Sequence, residues 1–225
     1  TEVGLSDGAG LEHHVWQLAG VGAHQVNRIE VHQERDSTYS AHTMTLGSGW
    51  VRNDLGVCLD GPGAECHLKG LYLLGDGQHV DNHTSIHHKA PNCTSRELYK
   101  GVLAGRSRGV FNGRIVVYKD AQRSDSDQGN HNLLLSESAR VDTKPQLEIF
   151  ADDVKAAHGT TVGQLDAQAL FYMQSRGISR DQAMRILTGA FAREIVEDLS
   201  EGPLREFGVR LINQQLMELQ KEQGE

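Results

Sequence analysis

One run of side chains that could do chemistry is residues 151–166, ADDVKAAHGTTVGQLD, with Asp152 and Asp153 side by side, then Lys155 and His158. An imidazole among small residues can serve as a general base or a metal ligand, or simply hydrogen-bond within a turn. On a strand the two carboxylates would not form a catalytic pair, because neighbouring residues point to opposite faces and cannot flank one bond. A second cluster, HVDNHTSIHH (79–88), spaces His79, His83 and His87 four apart, one ligand face if helical. Asp81-Asn82 and Thr84-Ser85 disfavour a continuous helix. Solvated or hydrogen-bonded histidines are therefore expected, with a stand-alone His-rich metal-binding module over His79–His88 as the alternative. SDSDQGN (124–130) begins like a calcium loop, but the twelfth position from Asp125 is Ser136, not glutamate. A flexible charged insertion between strands is expected there.

Five G-x-G pairs begin at Gly8, Gly20, Gly47, Gly61 and Gly75, and the third fingerprint position holds His13, Gln25, Arg52, Cys66 and Val80. None completes a dinucleotide-binding loop and no phosphate-loop sequence occurs, so these glycines read as corner residues and any ATP site must belong to a partner. Cys58, Cys66 and Cys93 contain no CxxC pair, so reduced thiols in a cytoplasmic protein are expected. A formal net charge of −8 argues against a nucleic-acid partner, and no apolar run approaches the roughly 20 residues of a membrane span. The chain opens without Met in the middle of a pattern, which reads as a piece cut from a longer protein. A polysaccharide-acting β-helix enzyme would need carboxylates and aromatic platforms along a groove. Aromatic residues are only 5% of the chain, which counts against that alternative.

The chain that positions these groups changes character near Asp166. Before it, period-two alternation dominates: Ile29 and Val31 share a face, as do Met44 and Leu46, Ile115 and Val117, and Leu147 and Ile149 with Glu148 outward. These read as strands of about four to six residues. Ala23, Ala41 and Ala64 recur at small-residue corners, and KGLYLL superposes on NGRIVV 43 residues on, about two units. A period near 20 with short strands suits a β-solenoid. An antiparallel sandwich has similar strands, but Asn112-Gly113 is the one clear hairpin signal. After Asp166 a short helix carries Leu170 and Phe171 and stops at Gly177. Ser179 and Gln182 form a capping box. The next helix places Ala183, Ile186, Leu187, Ala190 and Phe191 on one face. Pro203 opens a third helix with Leu204, Phe207, Leu211 and Leu216, and the tail QKEQGE is expected to fray. The expected plan is a β domain, 1–165, followed by a C-terminal helical domain, 166–225.

The stretch Lys144-Pro145-Gln146-Leu147-Glu148-Ile149, Ala151-Asp152-Asp153-Val154-Lys155, His158-Gly159 and Val162-Gly163 resembles the SufB/SufD family of iron–sulfur cluster assembly proteins, in its SufD branch. LFYMQSRGI (170–178), AFAREIVEDL (190–199) and the residues from His83 onward fit the same family, without its usual N-terminal helical region. The resemblance implies a mainly β fold, a right-handed parallel β-helix followed by a small helical domain. It implies a non-enzymatic scaffold that pairs with a SufB-like subunit and docks a SufC-like ATPase on its helices, where Phe171, Tyr172, Arg176 and Gly177 are the expected docking residues. A transient iron–sulfur cluster would form at the interface with the SufB-like subunit, with His158 as its ligand beside a partner cysteine. Nothing would be tightly bound by this chain alone, and the isolated fragment could pair with itself through the same surface. Some relatives carry Cys where Ala156 stands, so no thiolate is offered at the motif.

Overall fold

The computed structural model describes residues 1–199 and 201–221. Twelve strands form two six-stranded sheets in which every registered pairing is parallel. One sheet holds β1 (Glu2–Leu5), β3 (His24–Gln33), β5 (Trp50–Leu59), β7 (His79–His88), β9 (Arg108–Val117) and β11 (Arg140–Ile149). The other holds β2 (Gly10–Gln17), β4 (Thr38–Thr45), β6 (Glu65–Leu74), β8 (Thr94–Leu103), β10 (Asp125–Leu134) and β12 (Lys155–Gly163). The chain alternates between the sheets, so each coil contributes one strand to each. This is the mainly β, parallel solenoid expected from the sequence, followed by α1 (Ala167–Ser175), α2 (Arg180–Glu197) and α3 (Pro203–Lys221).

The alternation that builds it is clearest in β7, where Val80, Asn82, Thr84, Ile86 and His88 are buried and the residues between them are not. Inward side chains from the two sheets form the interior core around Val57, Leu59, Leu68, Tyr72, Phe111 and Ile115. Corners turn through a left-handed residue two positions before the next strand, at Gly8, Asp36, Gly63, Asn92 and Arg123. Glycine adopts this conformation without strain, which accounts for the pairs that include Gly8, Gly63 and Gly77; between Gly47 and Gly49 the left-handed residue is Ser48.

Several expectations change. The strands are mostly ten residues long, not four to six, and a full coil advances the chain by about 26 to 32 residues, as His24↔Trp50 and Arg108↔Arg140 show. Ala41 lies inside β4 opposite Leu68, while Ala64 precedes β6, so the alanines are not one repeating corner. KGLYLL and NGRIVV lie on different sheets, one and a half coils apart. SDSDQGN is not an insertion but the start of β10, whose inward residues Ser126, Gln128, Asn130 and Asn132 are buried and polar. Asn130 donates to the Tyr99 carbonyl on the adjacent coil (3.2 Å), and Asn132 to the Asn130 side chain on the same strand (2.8 Å). Asn112-Gly113 sits mid-strand in β9, where an added Cβ would lie 2.4 Å from the Gln128 amide, so glycine there answers to interior space and not to a turn.

The helices close a second apolar seam on the outside of the β12-containing sheet. Outward-facing Met44, Leu46, Leu71, Leu73 and Val102 pack with Ala192, Ile195, Val196, Ile212 and Leu216. Met44 and Leu46 therefore serve this seam and not the interior. The capping box at Ser179 and Gln182 is present, and Gly177 (φ 83°) ends α1 with Ile178 N–H bonded to the Met173 carbonyl. The buried face of α2 is Ala183, Thr188, Gly189, Ala192, Ile195 and Val196, while Ile186 is exposed. Its apolar stripe was misplaced because Ile186 has no neighbour to bury it. Leu147 packs on the interior core, whereas Ile149 is exposed at the end of β11. The side chains of the tail QKEQGE lie outside the described residues.

Candidate functional site at the last coil

His158 lies on β12, the terminal strand of its sheet, paired with β10 on one side only. The segment KAAHGTTVG is small and polar, and its free edge leaves backbone groups without a ladder partner. Parallel register sets His158 opposite Gln128, and Gln128 opposite Glu97 on β8. Residues in register share a face of the sheet. His158 therefore continues the inward-facing row of Glu97 and Gln128, and is exposed because no coil follows it.

Beneath it the row is buried and polar. Gln128 Nε2 donates to Glu97 Oε2 at 2.7 Å, leaving Gln128 Oε1 without a partner. Burial pushes the Glu97 carboxyl up to about 7, against the Gln128 hydrogen bond and the nearby Thr84 hydroxyl, which favour its charged form. On the outward side of the same strands, Thr161 and His131 Nδ1 are 2.9 Å apart. A hollow of about 530 Å³ is lined by His158, His131, Asp127, Lys69 and Glu194.

Among the described residues His158 belongs to no convergent group of three or more His, Cys, Asp or Glu donors. Ala156 occupies the neighbouring inward position, opposite Ser126. The arrangement offers one accessible imidazole at an open edge. Asp152 and Asp153 lie in the corner before β12, not on a strand, so strand alternation does not set their directions; Asp153 N–H bonds Gln122 Oε1 at 2.9 Å, and both carboxylates are exposed.

The histidine run is strand and not helix. His79, His83 and His87 share the outward face, but four strand residues span about 13 Å, too far for one ion. Each has its own neighbour: Trp50 stacks on His79, Asp81 lies 2.9 Å from His83 Nε2, and Ser85 and Tyr118 contact the two nitrogens of His87. His88 turns inward beside Ser95 (2.9 Å), where burial pulls its imidazole down to about 4. On α1, Phe171 and Tyr172 are 73% and 60% exposed, and the Arg176 guanidinium lies 5.2 Å from the Tyr172 ring. α1 buries none of its own residues. Gln128 and Glu97 were missed in the sequence; the alternation Ser95, Glu97, Tyr99 was the available signal, masked because glutamate reads as solvent-facing.

A parallel β-solenoid with helices on one sheet and an exposed histidine on its open last coil defines the class as a β-helical protein with a small helical cover. A profile of the SUF system FeS cluster assembly SufBD core domain matches residues 1–191, and the chain belongs to that family. It is 34% identical to the iron–sulfur cluster assembly protein SufD of Escherichia coli (strain K12) over 95% of this chain and 51% of that protein. It is 35% identical to a SufBD family iron–sulfur cluster assembly protein of Mycobacterium leprae (strain TN) over 81% of this chain and 48% of the relative. A SufBD family protein of Synechocystis sp. is 31% identical over 88% and 44%. The chain thus spans about half the length of the curated relatives it matches. No helix among the described residues is long and apolar enough to cross a membrane.

Proposed function

We propose that this chain is a non-enzymatic scaffold subunit of a cytoplasmic SUF-type iron–sulfur assembly complex, with residues 1–165 as the scaffold and residues 166–225 as the docking unit. The solenoid pairs with a SufB-like subunit through its last coil, where the free edge of β12 can accept a partner strand. The nascent cluster is cargo: His158 supplies one nitrogen donor, a borderline ligand for iron, and the partner supplies thiolate. One donor on this chain holds no cluster alone, which suits a product that must leave. The observation that carries this reading is the exposed His158 on the last strand, whose outer edge is unpaired, within the stretch the family profile covers.

A SufC-like ATPase docks on the helices, with Phe171, Tyr172, Arg176 and Gly177 as the contact patch. Exposed aromatic side chains beside an arginine are frequent interface anchors. Movement of the helices has a route to the sheet that ends in β12, because Asp198 pairs with Lys69, Glu194 pairs with Lys100, and Asp198 lies 3.7 Å from His42.

Co-expression with SufB-like and SufC-like proteins tests this. A stoichiometric complex carrying a cluster is expected. His158→Ala should leave the complex intact and abolish cluster accumulation, whereas Phe171→Ala with Tyr172→Ala should release the ATPase. Normal cluster formation with His158→Ala refutes the ligand role, and failure of the three chains to associate refutes the scaffold. A pair of identical chains forming in isolation would be the same edge meeting itself.

A further inference from the structure

The opposite sheet carries a convergence of donors that the assembly reading leaves unused. His32 on β3 stands in register with Cys58 on β5, so the two side chains emerge next to each other on the outer face. Asp60 follows two residues after Cys58. The ring nitrogen of His32, the thiol of Cys58 and a carboxylate oxygen of Asp60 all lie within 4.8 Å of one another, the one such three-donor group among the described residues. His32 Nδ1 is 2.9 Å from Asp60 Oδ2. A tetrahedral zinc-type site holds its donors roughly 3.5 Å apart, so small rotamer changes on the exposed His32 would close the set.

We propose that His32, Cys58 and Asp60 form a binding site for a single borderline divalent transition-metal ion, such as Zn²⁺ or Fe²⁺. One imidazole, one thiolate and one carboxylate is a donor mixture suited to such ions and poorly suited to Ca²⁺ or Mg²⁺, which take oxygen alone. A cation already occupies the spot. The Lys89 ammonium sits 2.8 Å from Asp60 Oδ1, near the Cys58 thiol. It is a partly exposed, flexible side chain that can swing away. On binding, the metal takes the Lys89 position, the Cys58 S–H proton passes to solvent, and an S–metal bond replaces it. His87 is in register with Cys58 on the next strand, but its nitrogens face Ser85 and Tyr118. The fourth position is left to water or an exchangeable ligand. Cys58 also lines the open groove on this face, so the ion would be reachable from solvent.

Titrating Co²⁺ into the purified chain tests this, read by the sulfur-to-cobalt charge-transfer band and by metal content after gel filtration. One equivalent is expected, displaceable by Zn²⁺. Cys66 and Cys93 are buried in the interior core, so the band must vanish in Cys58→Ser. His32→Ala and Asp60→Asn should weaken binding by about tenfold or more. Lys89→Gln should tighten it, since the competing ammonium is gone; a merely structural ion pair would show no such gain. His158→Ala should leave the titration unchanged, which separates this site from the cluster-ligand reading. A wild-type chain without the band, a band that survives Cys58→Ser, or weaker binding in Lys89→Gln overturns the proposal.

Discussion

The two outer faces of the solenoid are built on the same coils and carry opposite surfaces. On the β12-containing sheet the outward residues Met44, Leu71, Leu73 and Val102 are apolar and lie under α2 and α3. On the other sheet the outward residues include Arg28, Glu30, Arg52, Asp54, His83 and Arg114, which line an open groove of about 630 Å³. Inward residues supply the stack in both cases, so the coil geometry is indifferent to what points out. The outward set is therefore free to specify a covalently attached partner on one face and a hydrated, ion-paired surface on the other.

That contrast can be broken hardest at the apolar seam. Leu71→Asp buries an unpaired charge beneath α2 and should cost about 4 kcal/mol or more in urea unfolding, with detachment of the helices. The interior beneath that sheet gives the next effect. Glu97 has a folded pKa of about 7 against an ordinary value of 4.5, so the folded state favours its protonated form. Stability from this group is full below pH 4.5 and is lost as pH rises toward 7, by roughly 3 kcal/mol. Glu97→Gln should remove that loss, so the variant gains on the parent between pH 4.5 and 8 in matched denaturant titrations. A pH-independent difference would refute the buried-acid reading.

The charged face should respond less. Arg52 bonds Asp54 (2.6 Å) and Asp81 (2.5 Å) in a partly exposed network. Arg52→Ala should cost about 1 kcal/mol, and less at high salt. His158→Ala, at an edge with nothing packed over it, should change stability by less than about 0.5 kcal/mol. A larger loss there would mean that the last coil depends on the imidazole for its structure.

Much of the architecture was legible because burial leaves a periodic trace. Ile115 and Val117, the switch to helix after Asp166, the Ser179–Gln182 cap and the Gly177 stop all act through neighbours close in the chain. The coil length was misread because inward positions in β10 are polar. Gln128, Asn130 and Asn132 find partners on adjacent coils, and a hydrophobicity pattern has no sign for a polar residue satisfied by one 30 positions away. The same blindness hid Glu97 and the meeting of His32, Cys58 and Asp60.

By itself, then, the sequence determined the alternation that makes strands, the corner glycines, the helix boundaries and the motif around His158. Those follow from steric and hydrogen-bonding preferences expressed within a few residues. Only the tertiary structure decided the register that stacks His158 over Gln128 and Glu97, which sheet the helices cover, and which donors converge. Each depends on how one coil sits on the next, a choice made by interior packing summed over the whole stack.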